Sequence, residues 1–393
     1  MFLPLYMLAV AVFAMGTSEF MLAGLVPDIA DSLDVSIGAA GLLTSAFAVG
    51  MIAGAPLMAA LARRWPARTT LLLFVLAFAL THVVGALTTS FAVLLVTRVI
   101  AALANAGFLA VALSTAATLV AADQKGRALA VLLSGTTMAT IAGAPGGALL
   151  GTLLGYRATF WAIALLCVPA AFGIAKGIPA DAGATTAGAS ASLPLRNEIA
   201  QLARPGLIGV VLLSALVNAA TFATFTFLAP IVTDTAGLEE LWVPVVLTLF
   251  GVGSFVGVTV AGRFSDRRPA ITIAVCGPLL LLGWVALATL AAHPAALLFL
   301  VFTQGALSFA LGSTLIARVL YEAEGAPTMG GSYATAALNI GAAGGPVVAA
   351  ATLGAVAGDL GPVWASSLLV AVALVAALPL LRVIAPSAGP VTR

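Results

Sequence analysis

The chain has 393 residues, 62 % of them hydrophobic and only 8 % charged, with a formal net charge of +2. Ordinary globular domains carry about 25 % charged residues, so a water-soluble fold of this size would have too few charges to cover its surface. The class is a polytopic protein of the lipid bilayer. The small net charge gives no argument for nucleic acid, and none is expected as a partner.

The N-terminal stretch MFLPLYMLAVAVFAMG lacks the basic region of a signal peptide and reads as a retained first membrane helix. A span needs about 20 apolar residues. Twelve are expected, at 4–26, 37–61, 69–88, 91–113, 128–151, 159–178, 206–230, 243–262, 270–291, 295–317, 330–352 and 362–381. Within the first, MGTSEFMLAGLVPD places Glu19 in the hydrocarbon. An acid there costs roughly 2.5–3.5 kcal/mol and normally faces a bundle interior or a wet cavity on a proton or ligand pathway. The plainer alternative is a neutral packing residue held by a hydrogen bond. Arg98 lies early in span 4, about 12 Å from the outer end of that span, while Glu19 is about 10 Å from the outer end of span 1. Charges at similar depth suggest a shared water-filled site or a direct pair; a static structural ion pair would meet the same electrostatic need.

Span 5 reads GAPGGALLG, with Gly143, Pro145, Gly146, Gly147 and Gly151. Small residues at i, i+4 and i+8 let another helix come close, and the proline bends the chain. That combination suits a helix that seals or rocks against the other half, although an ordinary packing face has the same spacing. The stretch 179–204, small and polar over PADAGATTAGASASL, reads as a flexible linker between two halves, 1–178 and 205–393. Candidate cavity residues recur on several spans: Asn105 and Phe108 on span 4, then Asn218, Thr221, Phe222 and Phe225 on span 7. Gln304 and Ser308 follow on span 10, and Tyr333 and Asn339 on span 11. They describe a mostly apolar site with scattered hydrogen-bonding groups, suited to a small, largely neutral ligand, or else ordinary helix–helix packing. The loop GRFSDRRP after span 8 carries Gly262, Asp266 and Arg267 at a helix junction, where an acid near a helix N-terminus gains about 0.3–1 kcal/mol.

Fourteen of the 16 basic residues follow even-numbered spans or the end of the chain. By the positive-inside rule those loops and both termini are cytoplasmic in a plasma-membrane protein. The opposite side carries Asp28, Asp31, Asp34, Asp234, Glu239 and Glu240. A shift of 203 residues superposes Pro27 on Pro230, Phe47 on Phe250, Gly50 on Gly253 and Gly54 on Gly257. The expected fold is therefore an all-α membrane protein, twelve transmembrane helices in two pseudo-symmetric six-helix halves, with a site at their interface. Cys167 and Cys276 lie in apolar segments without metal-type spacing. Neither His82 nor His293 receives a role. No P-loop, HExxH or paired CxxC occurs, so neither an enzyme nor a cofactor or metal is expected.

With these residues in view, the chain resembles the major facilitator superfamily, in its twelve-span drug:proton antiporter branch, over essentially its whole length. Gly143, Pro145, Gly147 and Gly151 are similar to the branch's span 5 antiporter motif. Arg98 matches the span 4 arginine of the motif associated with proton coupling, which implies that role for Arg98 together with Glu19. GRFSDRRP is similar to the superfamily's loop motif through Gly262, Asp266 and Arg267, which implies a gating role. The first-half copy, ALARRWPAR, departs from it, with Arg63 where an aspartate belongs and Pro66 where a glycine belongs. That weakens the expectation of a cytoplasmic charge lock there. At closer range GTSEFMLAGLVPDIA, AGLLTSAFAVGM, ALANAGFLAVALSTAA, TFLAPIVTDTAGL and GGSYATAALNIGAAGGP resemble the actinobacterial chloramphenicol-resistance exporters. The resemblance implies efflux of that small neutral drug, driven by protons. The residues by themselves imply only a proton-coupled carrier of small apolar molecules, expected as a monomer. An exporter of sugars or other metabolites is the alternative within the class; a non-transporting membrane sensor is the one outside it.

Overall fold

The computed structural model describes residues 3–62, 66–120, 124–179, 201, 204–264, 269–323, 330–353 and 358–384. Arg63, Asp266, Arg267 and nearly all of the 179–204 linker lie outside the described residues. The described residues hold twelve helices long and apolar enough to cross a bilayer: Leu3–Gly24, Ile37–Gly54, Ala67–Leu87, Phe91–Ala116, Arg127–Leu154, Tyr156–Gly177, Pro205–Thr226, Trp242–Gly262, Pro269–Leu290, Pro294–Glu322, Gly330–Thr352 and Gly358–Leu378. These are spans 1 to 12. The second continues as helix to Ala62. No strand occurs among the described residues. Helix is what the sequence dictates, because hydrocarbon offers backbone groups no other partner. Large apolar side chains such as Leu80, Leu87, Phe299 and Val375 stay exposed on the outside of the bundle, where lipid would meet them.

Two apolar cores divide the molecule. One is built from spans 1–6 and the other from spans 7–12. Close approach inside each half rests on glycine. Gly50 and Gly54 lie against Ala102 and Ala106, joining span 2 to span 4. Their counterparts Gly253 and Gly257 lie against the backbone of Phe302 and Ala306, joining span 8 to span 10. The 203-residue repeat is thus carried by equivalent helix pairs. A few residues belong to the core of the opposite half. Ala223, Phe227 and Ala349 pack into the first core, and Phe20, Ala23, Ala48, Ala144 and Ala148 into the second. All eight lie between mid-depth and the face that carries the loops after odd-numbered spans. That face holds Asp28, Asp31, Asp34, Asp234, Glu239 and Glu240 and is called the acidic face below.

Three helices are interrupted near these crossing points. Span 1 ends its regular helix at Phe20 and tightens into a 3₁₀ turn, Met21–Gly24. Span 5 widens into a π-turn, Ala139–Gly143, immediately before Pro145. Pro145 has no N–H to give the preceding turn, and the wider turn absorbs the mismatch. The bend expected at Pro145 therefore falls one turn earlier. After span 7 the chain breaks at Phe227 and passes Pro230 into another π-turn, Ile231–Thr235. Spans 5 and 6 meet through one residue, Gly155, whose φ of 79° suits a residue without a side chain. The Asp28 carboxylate accepts the Tyr156 N–H at the start of span 6 and ties span 1 to that turn.

Candidate functional site

Consecutive residues on a helix are about 100° apart, so the four residues Thr17, Ser18, Glu19 and Phe20 point to four different neighbours. Thr17 faces span 5, where a side chain on Gly143 would fall on its hydroxyl. The same register continues as Gly147 beside Met21 and Gly151 beside Leu25. The small face of span 5 is therefore a ladder against span 1 in its own half, not against the other half. It is the neighbouring face, Ala144 and Ala148, that enters the second core. Nearby, Gly251 of span 8 lies against the backbone of Thr140 and Ile141.

Ser18 faces spans 3 and 4. Its hydroxyl and its carbonyl oxygen each accept a hydrogen bond from Arg98, Nη1 at 2.7 Å and Nη2 at 2.7 Å. Arg98 is only 1 % exposed, and its guanidinium lies 4.5 Å from the centroid of the Phe47 ring. A buried charge needs such partners: two charge-assisted hydrogen bonds and a ring face in place of water. Ser18 also lies 2.7 Å from Nε2 of His82, which is buried and has Nδ1 2.8 Å from the Phe78 carbonyl oxygen. The imidazole packs against Phe78, at 4.4 Å, and Phe160, at 5.6 Å.

Glu19 is half-buried and makes no hydrogen bond or ion pair with the described residues. The direct Glu19–Arg98 pair considered from the sequence is not formed; Ser18, one residue before Glu19, takes both hydrogen bonds.

Phe20 leaves its own half. Its ring is 6.1 Å from Phe222 and 6.2 Å from Phe225, both on span 7. Phe225 continues to Phe250 at 4.8 Å, and Phe250 to Phe309 at 6.1 Å. An aromatic bridge thus runs across the joint of the halves, beginning beside Glu19.

The other candidates are spread out. Asn218 donates to the Leu338 carbonyl of span 11, and Asn339 donates to Thr335 on its own helix. Thr221 donates to the Val217 carbonyl on its own span. Asn105 reaches Met51 Sδ at 3.6 Å, and Phe108 is fully buried in the first core. Gln304 donates to the Leu280 carbonyl of span 9 and, with Ser308, is buried within the second half. Tyr333 is buried in the second core near the opposite face, and Gly262 has open space around it. Of the expected set the structure gathers Glu19, Arg98, Phe222 and Phe225 at one depth. Sequence reading missed Ser18, Phe20, Phe47 and His82. Phe47 carried a signal as the repeat partner of Phe250, and His82 as the one histidine inside a span.

Above the crossing contacts, the acidic face opens into a cleft of about 650 Å³. Both halves line it, with Asp28 and Asp31 from one side and Asp234, Glu239 and Glu240 from the other.

Known proteins match this architecture. The chain is 72 % identical over 386 residues to a chloramphenicol resistance protein of Streptomyces lividans, covering 98 % of each. It is 32 % identical over 352 residues to the inner membrane transport protein YdhP of Escherichia coli K12, covering 88 % of this chain and 89 % of the relative. A bacterial homolog of the human lysosomal transporter Spinster, solved inward-facing and unoccupied, has the same fold with a TM-score of 0.71. That match covers 98 % of this chain and 95 % of the other at 18 % identity. Twelve helices in two halves, and the sequence profile of the Major Facilitator Superfamily matched across residues 8–346, establish that the chain belongs to that transporter family.

Proposed function

We propose that the protein exports chloramphenicol in exchange for protons by alternating access, with Glu19 as the proton-carrying group and Arg98 as its partner. The observation that carries the reading is the unshared Glu19 carboxylate at the joint of two halves, beside a bridge of phenylalanines. An intramembrane acid is costly and by default marks a functional site, and an apolar aromatic surface suits a small neutral drug. The 72 % identity to a chloramphenicol resistance protein supports the substrate.

The distribution of basic residues supports a reading with the acidic face outside and both termini in the cytoplasm, in the plasma membrane. Crossing contacts that run from mid-depth to the acidic face support a state closed to the outside. In the opposite state the acidic cleft deepens, Glu19 takes a proton from that side and the drug leaves. Facing inward, the proton is released and the drug enters against Phe20, Phe222 and Phe225. Two ligands that favour opposite states of one site exchange for each other. The protein works in this reading as a monomer, since each half finds its partner within the same chain.

The test is chloramphenicol uptake into everted membrane vesicles with an imposed acid-inside gradient. Accumulation that a protonophore collapses, and that Glu19→Gln abolishes while remaining folded in the membrane, is the expected result. Undiminished uptake by Glu19→Gln would remove Glu19 from the mechanism. No uptake in well-energised vesicles would remove the substrate or the coupling.

A further inference from the structure

His82 is a buried titratable group with no part in the exchange described above, yet its hydrogen bonds lead directly to it. Arginine can only donate, so the Ser18 hydroxyl oxygen accepts from Arg98 Nη1. The Ser18 proton then needs an acceptor of its own, and His82 Nε2 stands 2.7 Å away. On the far side of the ring the Phe78 carbonyl, 2.8 Å from Nδ1, can only accept, so Nδ1 carries the hydrogen and Nε2 presents its lone pair. Every donor in the series Arg98, Ser18, His82 points the same way, towards span 3. Thr81, 3.5 Å from Nδ1, donates to the same Phe78 carbonyl at 2.7 Å and offers the ring no better acceptor. The Phe78 and Phe160 rings pack against the imidazole.

We propose that His82 is a positioning residue: by accepting the Ser18 proton it holds that hydroxyl as the acceptor for Arg98, and so keeps the guanidinium on Ser18 and out of direct contact with Glu19. The proposal rests on the reading of Glu19 as the proton-carrying group. A histidine that merely filled space between spans 1, 3 and 6 would need no hydrogen bond to the one hydroxyl that Arg98 also uses. Without an acceptor at position 82 the Ser18 hydroxyl is free to rotate, and its lone pair is no longer held towards Arg98. Held then only by the Ser18 carbonyl and the Phe47 ring, the guanidinium can turn towards the unpaired Glu19 carboxylate. An ion pair formed there opposes protonation, because an adjacent cation favours the charged carboxylate.

The charged and titratable groups around this point are few. Span 1 contributes Glu19, span 3 His82 and span 4 Arg98. Span 6 contributes Tyr156, which meets His82 only through Phe160, at 5.9 Å from that ring, and the buried Cys167. The segment of span 5 against span 1 at this depth, Ala139–Gly151, carries none.

The experiment is the pH profile of chloramphenicol uptake in everted vesicles for the wild type, His82→Leu, His82→Gln, Ser18→Ala and the double variant His82→Leu/Ser18→Ala. The expected result is a midpoint moved to lower pH by about one unit, tenfold in proton concentration, in both His82→Leu and Ser18→Ala. The double variant moves no further than either alone, and His82→Gln, whose amide oxygen can still accept from Ser18, keeps the wild-type midpoint. A midpoint unchanged in Ser18→Ala, or in His82→Leu with only a lower melting temperature, overturns the proposal and makes His82 a packing residue. If His82→Leu does not fold, Ser18→Ala and His82→Gln decide alone. A pH profile that survives intact in Glu19→Gln fails the underlying reading instead, and the proposal with it.

Discussion

Arg98 shows how one side chain is made tolerable in an apolar bundle and what that does to its neighbour. Its two hydrogen bonds go to the hydroxyl and carbonyl of a single residue, Ser18, and its face lies on Phe47. The planar fork of arginine allows all three contacts at once; the ammonium of lysine is a single point with no face to stack. Arg98→Lys is therefore expected to keep the charge but lose one charge-assisted hydrogen bond, worth about 1.5–3 kcal/mol. Thermal unfolding of the purified variant in detergent measures this. An unchanged melting temperature would mean that the second bond contributes nothing. The pseudo-symmetric residue to Phe47 is Phe250, which meets Phe225 and Phe309 in place of a guanidinium. The same position thus holds a cation in one half and an aromatic surface in the other, which is how a repeat yields one charged and one apolar wall.

At the scale of elements, span 5 separates two tasks that its sequence runs together. Gly143, Gly147 and Gly151 lie on span 1 beside Thr17, Met21 and Leu25, whereas Gly146 has nothing within 4 Å of where a side chain would begin. Replacing a glycine in such a seam forces the helices apart, and overpacking costs about 1–3 kcal/mol. Gly143→Val should push on the Thr17 hydroxyl and disturb the helix turn that carries Ser18 and Glu19. Gly146→Ala should leave resistance near wild type. The comparison is made as chloramphenicol resistance of cells expressing equal amounts of each variant in the membrane. Equal loss at both positions would mean that flexibility of the GAPGG stretch matters, not its seam with span 1. Spans 1 and 7 break at equivalent depths, at the Met21–Gly24 turn and at Phe227, and both breaks lie where the halves touch. The ring of Phe227 fills the space that a side chain on Gly41 would occupy, so a second-half residue is seated in the first-half core.

For the whole molecule, transport by alternating access requires those crossing contacts to part. Gly38 on span 2 and Ala350 on span 11 test this at the acidic face, because a Cβ on Gly38 would lie 3.4 Å from that of Ala350. That separation is close to the range of about 3.5–4.5 Å found in disulfides. With Cys167 and Cys276 replaced, the pair Gly38→Cys/Ala350→Cys should crosslink on mild oxidation. Efflux should then stop and return on reduction. A crosslinked protein that still transports would show that the halves need not separate at this face.

Much of the molecule was legible in the chain. Twelve spans follow from runs of about 20 apolar residues, because a span of that length satisfies its backbone within itself only as a helix, and each observed span overlaps its expected one. Glu19 and Arg98 stood out because charge in hydrocarbon is expensive, and Phe222 and Phe225 because their spacing puts them on one helical face. The ladder of small residues on span 5 was visible as spacing, but spacing does not name the helix on the other side. Asn105, Phe108, Gln304 and Ser308 looked like cavity residues for the same reason, since a polar or aromatic side chain in a span reads alike whether it faces a cavity or a neighbouring helix. Direction around the helix axis is decided by packing. Ser18 and His82 are ordinary in sequence and 64 residues apart, and only the stacking of spans 1, 3 and 4 brings them to Arg98. The sequence by itself determined the membrane class, the number of spans and the two charges placed within them, through the cost of placing polar groups in lipid. Only the tertiary structure decided which partners those charges take, because hydrogen bonds between helices depend on rotation and depth that no local pattern records.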